Sequence, residues 1–159
     1  MGARADALAT KFEAKADEMT KTLEKLTDAD WKKVTSAEKW SVGVTAHHAA
    51  GALEPIAGFV KTLGEGKPMP HLTAAMLEEM NAKHAAEFAS CTKAETLALH
   101  RKGVATASAI VRGLSDADLD RSGAVLAGMP AMSAQQVIEN ILIGHVQEHL
   151  SSIRATVGA

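Results

Sequence analysis

The chain has 159 residues, 47% of them hydrophobic and 23% charged, which is enough apolar material for one domain with a core and excludes a disordered chain. Only 3% are aromatic, Tyr is absent and about a fifth are Ala, which argues against a β-sandwich or barrel and for helices. A formal net charge of -2 with no basic block excludes an electrostatic footprint for nucleic acid, and the single cysteine excludes an internal disulfide or a thiolate metal cage.

Residues 4–25 form the first predicted helix. Leu8, Phe12, Ala16, Met19 and Leu23 recur at spacings of three and four and make one apolar face. Lys, Asp and Glu are scattered along the first twenty residues, so this stretch is not a signal peptide. No apolar run reaches the length of a membrane span, and the expected compartment is the cytoplasm. The segment Leu26-Thr27-Asp28-Ala29-Asp30 has the composition of a cap and turn, and a connector with Trp31 and Trp40 follows.

Ser41 is the predicted N-cap of a second helix from Val42 to about Leu63, with Pro55 inside it as a kink or loosened turn. Gly64-Glu65-Gly66 stops that helix. A third helical stretch runs over residues 73–90. Thr92-Lys93-Ala94-Glu95 is a capping box opening a helix to Leu114, and sequence leaves open whether these two stretches are one bent helix or two. The run from Leu114 to Leu119 echoes the run from Leu26 to Trp31, which reads as two similar helix stops. Residues 121–132, with Gly123, Gly128 and Pro130, read as a loop. Ser133-Ala134-Gln135-Gln136 is a further capping box, opening a last helix to about Val157. The sum is an all-α chain, and an antiparallel four-helix bundle is its natural packing.

Seven histidines need an explanation. His145 and His149 lie four apart, one turn of the last helix, on the face that also carries Ile138, Ile141, Leu142 and Ile153. They therefore point into the bundle, where two imidazoles can chelate one divalent metal. On the second helix His48 shares a stripe with Val44, Ala52, Pro55 and Phe59, whereas His47 shares one with Gly43, Gly51, Glu54 and Gly58. Facing helices of a bundle supply ligands to one interior site, so one of these two completes a three-imidazole set with an open coordination position.

Trp40-Ser41-Val42, then Ala46-His47-His48, and later His145-Val146-Gln147-Glu148-His149-Leu150 with Ile153-Arg154, resemble the DinB/YfiT-like superfamily. That resemblance extends in helix order over nearly the whole chain, 1–159 as a single domain, but its specific part is these motifs. It implies an antiparallel four-helix bundle of DinB-like type with a metal near one end, and a homodimer. His48, eight residues after Trp40, takes the first ligand position, and His145 and His149 take the other two. His47 is then a neighbour of the site.

The resemblance also points to use of a low-molecular-weight thiol, giving a metal-dependent thiol S-transferase with zinc or nickel first and iron third as the metal. The expected partners are a small-molecule substrate or a thiol, with neither nucleic acid nor membrane. Metal-assisted hydrolysis is the alternative, with Glu148 or His47 as proton acceptor, and Glu54 is weighed in the same role. A non-catalytic, stress-related ligand-binding bundle is the third reading. Met80 and His84 share a face that can line a pocket mouth, but packing and surface roles are the expectation for them. His71 and His100 are expected at the surface, and both tryptophans are expected to cap the bundle end.

Overall fold

A computed structural model describes residues 2–159 of the chain. Helix α1 spans Ala3–Lys25, and its predicted stripe of Leu8, Phe12, Ala16, Met19 and Leu23 is buried throughout. Helix α3 (Val42–Gly64) starts where Ser41 Oγ accepts a hydrogen bond from the Val44 N–H at 3.0 Å, and it continues through Pro55. Helices α4 (Ala74–Glu87) and α5 (Lys93–Arg112) are separate, because the Thr92 hydroxyl and the Glu95 carboxylate close a capping box between them. The echoed segments fold alike. Thr27 with Asp30 caps the single-turn helix α2 (Asp28–Lys32), and Ser115 with Asp118 caps α6 (Asp116–Asp120).

The last helix is one continuous rod in three pieces: α7 (Ala134–Val137), a π-helical turn over Ile138–Ile143, and α8 (Gly144–Val157). Sequence periodicity does not show the π turn. The predicted 121–132 loop is closed at its base by a two-residue antiparallel ladder, β1 (Ser122–Gly123) against β2 (Met132–Ser133). Among the described residues no helix is long and apolar enough to cross a membrane.

The chain is an all-α four-helix bundle of α1, α3, α5 and the C-terminal rod, with two helices running each way. Side-chain contacts fix the helix directions. Lys93 reaches the Glu24 and Leu26 carbonyls while Arg112 reaches Glu13 and Asp6, so α5 runs against α1. Glu54 accepts from Thr106 and a Cβ on Gly64 would meet Leu114, so α3 and α5 run the same way. Arg4 meets Gln135 and Glu18 meets Arg154, so α1 and the last rod are also parallel. The order is up, down, down, up. After α3 the chain must therefore travel back along the bundle before α5 can begin, and α4 makes that return. Its 14 residues cover about 21 Å at 1.5 Å per residue.

Close packing of the parallel pair depends on Gly103, where a Cβ would lie 3.0 Å from Leu53 and 3.4 Å from the Ala50 carbonyl. Gly43 does the same for Trp31. A Cβ there would overlap the indole ring, whose Nε1–H donates to the Cys91 carbonyl at 2.9 Å.

His100, expected at the surface, is instead buried in the core at 2% exposure, with Nε2–H donating to the Ala16 carbonyl at 3.0 Å. The reason is position: α5 packs on α1, and a ring there satisfies its own donor while filling apolar space. Burial pushes its pKa below the ordinary 6.5, Ala16 partly opposes the fall, and Arg101 adds to it. The unfolded chain binds the proton more tightly, so the neutral ring's contribution to stability is complete above pH 6.5 and declines as pH drops toward the lowered folded value. Replacing His100 with Gln removes the titration. Denaturant unfolding between pH 7 and 5 should then show a shallower loss of stability than in the parent protein, by up to ~1.4 kcal/mol per pH unit. Identical slopes would show that His100 is not held neutral.

Candidate metal centre

The site lies where the first turns of α3 face α8. The Ser41 cap sets the start of α3, and two turns on it presents His47 and His48 on adjacent faces. His48 turns toward α8, where the π turn ends two residues before His145. A π turn takes more residues than an α turn and so rotates everything after it, which is why such turns recur beside functional positions.

Three ring nitrogens meet there. His48 Nε2 lies 3.1 Å from His145 Nε2, and His149 Nε2 lies 3.1 Å from the same atom. The potential ligand atoms of His48, His145 and His149 all fall within 4.8 Å of one another, and these three form a group able to hold a metal ion among the described residues. Two nitrogens sharing one ion at about 2.1 Å in a tetrahedral arrangement lie roughly 3.4 Å apart, close to the spacing observed.

Burial, with like-charge repulsion from the neighbouring rings, pushes His48 down to about 4 and His145 to about 3. Both are therefore neutral at neutral pH, the state that ligates a metal. His149 Nδ1–H donates to Glu38 Oε2 at 3.0 Å, which leaves its Nε2 as an acceptor facing the other two rings. His145 Nε2 cannot meet both neighbours with separate hydrogen bonds, because one ring nitrogen carries either one proton or one lone pair. Its Nδ1 is buried without a partner. The donor set thus fits a divalent cation better than it fits a self-contained hydrogen-bond network.

Glu38 is a site residue that the sequence reading missed. It sits in the turn between α2 and α3, where the Thr35 N–H bonds the Trp40 carbonyl at 2.8 Å and Lys39 adopts φ 64°. Burial raises its pKa, but bonds from Ser152, His149 and Thr35 outweigh that and hold it below the usual carboxylate range. Ser152 donates to its Oε1. The available clue is chemical: a metal-ligating imidazole usually gives its other N–H to a carboxylate. No periodicity marks a turn residue. Trp40 does more than cap the bundle, since its ring meets His48 edge-on at 5.1 Å.

Glu148 lies on the exposed side of α8, and the carboxylate hydrogen-bonded to the triad is that of Glu38. Glu54 accepts from Thr106 and ties α3 to α5. His47 is buried and turned away from the triad. Its Nδ1 lies 2.7 Å from His84 Nε2, and its ring stacks on Phe88 with centroids 4.1 Å apart. His84 is therefore anchored to α3 and half-buried, whereas packing and surface roles were the expectation. His71 is exposed, as expected. Cys91 is half-buried with its thiol pKa raised by burial, the opposite of an activated nucleophile.

A cavity of about 320 Å³ opens beside the triad. His48 and His145 are in its wall, whereas His149 is behind them on Glu38. Its outer wall is α4, which has no buried residue and contributes Leu77, Met80, Asn81 and His84.

Among solved structures, a mycothiol-dependent maleylpyruvate isomerase superposes with TM-score 0.73 at 15% identity, and a histidine-to-alanine variant of such an isomerase with TM-score 0.76 at 13% identity. Each alignment covers 96% of this chain and 63% of the other, so this chain spans less than two thirds of those proteins' length. At such identities the likeness is one of fold. No curated protein matches the sequence. The sequence model of the DinB superfamily matches residues 11–153, nearly the whole bundle, and the chain belongs to that superfamily.

Proposed function

We propose that His48, His145 and His149 hold one divalent cation, zinc or nickel before iron, and that a low-molecular-weight thiol and an electrophile meet in the adjoining cavity. The observation that carries this is asymmetry: three Nε2 atoms converge, two of their rings line a cavity, and the third is anchored behind. When bound, the cation supplies Lewis acidity that favours the thiolate form of a thiol. The mycothiol-dependent isomerase structures that share the fold support a thiol as the co-substrate.

The chain's own residues prepare the site. Glu38 fixes the His149 tautomer and Ser152 fixes Glu38. Trp40 supports His48 from the side. Ile56, Phe59 and Ile141 make the cavity wall apolar, which disfavours an ordered attacking water and so hydrolysis as a competing reaction. His84, held by His47, places a ring on the α4 wall of the cavity.

Elemental analysis of the purified protein should find one equivalent of divalent metal per chain, and His149→Ala should bind less than a tenth of that. Equal, trace metal in both would overturn the site. The variant Glu38→Gln keeps the shape of the side chain but weakens the acceptor for His149 Nδ1–H. Metal affinity should fall about 10–100-fold in a chelator competition while the far-ultraviolet spectrum is unchanged. An unaltered affinity would remove Glu38 from the site.

Thiol use is read with monochlorobimane in the presence of mycothiol, bacillithiol or glutathione. The metal-loaded protein should accelerate conjugation with at least one of them, and His145→Ala should lose that acceleration. Ester turnover without thiol, and no conjugation with it, would favour the hydrolase reading instead.

A further inference from the structure

The chemistry of the cavity wall narrows what can enter. None of its lining residues among those described is Lys, Arg, Asp or Glu. The wall is built from Ile56, Phe59, Leu72, Leu77 and Ile141 with smaller apolar neighbours. Polar groups come from the two triad rings, His84 and Asn81. His48 and His145 are committed to the triad, and His84 Nε2 to His47. Asn81 and the Nδ1 of His84, which is buried without a partner, are the polar groups left for a ligand, and each can make a hydrogen bond to a neutral substituent.

From this we infer that the electrophile is an uncharged, mostly apolar molecule of one or two rings carrying one or two hydrogen-bonding groups, placed to meet Asn81 and His84. The inference rests on the reading of this cavity as the substrate side of the metal centre. Size supports it. An apolar cavity of about 150 Å³ accommodates benzene, and this one is about twice that volume. Charge supports it more strongly. An ionised group placed against this wall would lose its hydration with no opposite charge to meet it, a cost that few contacts offset. The cation can accept one anionic head, and the thiol occupies that position in the proposed chemistry, so the second reactant has no partner for a charge.

The test uses two molecules of one shape, methyl 1-naphthoate and the 1-naphthoate anion. Binding is measured by calorimetry on EDTA-treated protein, so that the wall alone discriminates. The ester should bind at least tenfold more tightly than the anion. Ala52→Trp, which fills the cavity from the α3 wall, should weaken the ester at least tenfold while leaving metal loading unchanged. Anion binding as tight as the ester, no binding of either, or ester binding indifferent to Ala52→Trp would each overturn the inference. The metal reading fails separately. If the parent protein takes up no metal but still prefers the ester, the cavity assignment stands and the metal centre falls. If His149→Ala abolishes metal uptake and ester selectivity persists, both stand.

Discussion

The structure depends on placing three imidazoles nitrogen to nitrogen in a largely apolar end of the bundle. Left alone, the arrangement is unfavourable. The central ring cannot bond both neighbours, and burial opposes the proton uptake that would supply more donors. It persists because the rings sit on packed helices. His149 is itself buried, and Val146, Leu150 and Ile153 around it are core residues, so turning α8 to separate the rings would expose apolar surface. Core packing therefore supplies the free energy that keeps lone pairs converged, which is how preorganised metal sites are built.

Helix direction explains why a cavity exists next to that cluster. Because α3 and α5 run the same way, the chain returns outside the bundle, and α4 crosses in front of the face of α3 that carries His48 and Pro55. A crossover helix has no partner on its outer side and buries none of its residues. It cannot pack down as tightly as a core helix, and Gly51, Ala52 and Pro55 beneath it are too small to fill the gap. What holds it is local: the His47–His84 bond, the stack of His47 on Phe88, and the Ala127 N–H bonded to the Leu72 carbonyl. The cavity is thus a consequence of topology, and small residues on α3 keep it open.

Much of this was legible in the sequence for identifiable reasons. The helices of the bundle came from periodicity and from side-chain caps at Ser41, Thr92 and Ser133, because local hydrogen bonds are written in adjacent residues. The His145–His149 spacing was visible for the same reason, since one-turn spacing is a local property, whereas the choice of His48 over His47 came from the family resemblance. What stayed hidden depends on long-range placement. Glu38 reaches His149 across 111 positions from an irregular turn, and nothing periodic marks it. His100 looked solvated beside Arg101 and Lys102, yet the ring of α5 that faces α1 is set by packing angle, which sequence spacing resolves only coarsely.

Two histidines adjacent in sequence show how finely the fold divides chemistry. His47 and His48 differ by about 100° of helical rotation. That difference sends one ring to the triad and the other to α4, where it steadies the cavity wall through His84. Exchanging their roles would require α3 to rotate, and Gly43 against Trp31 and Gly103 against Leu53 leave no room for that. The glycines that let helices approach closely are therefore also what keeps His48 aimed at His145, and the geometry of the triad is fixed by backbone contacts well away from it.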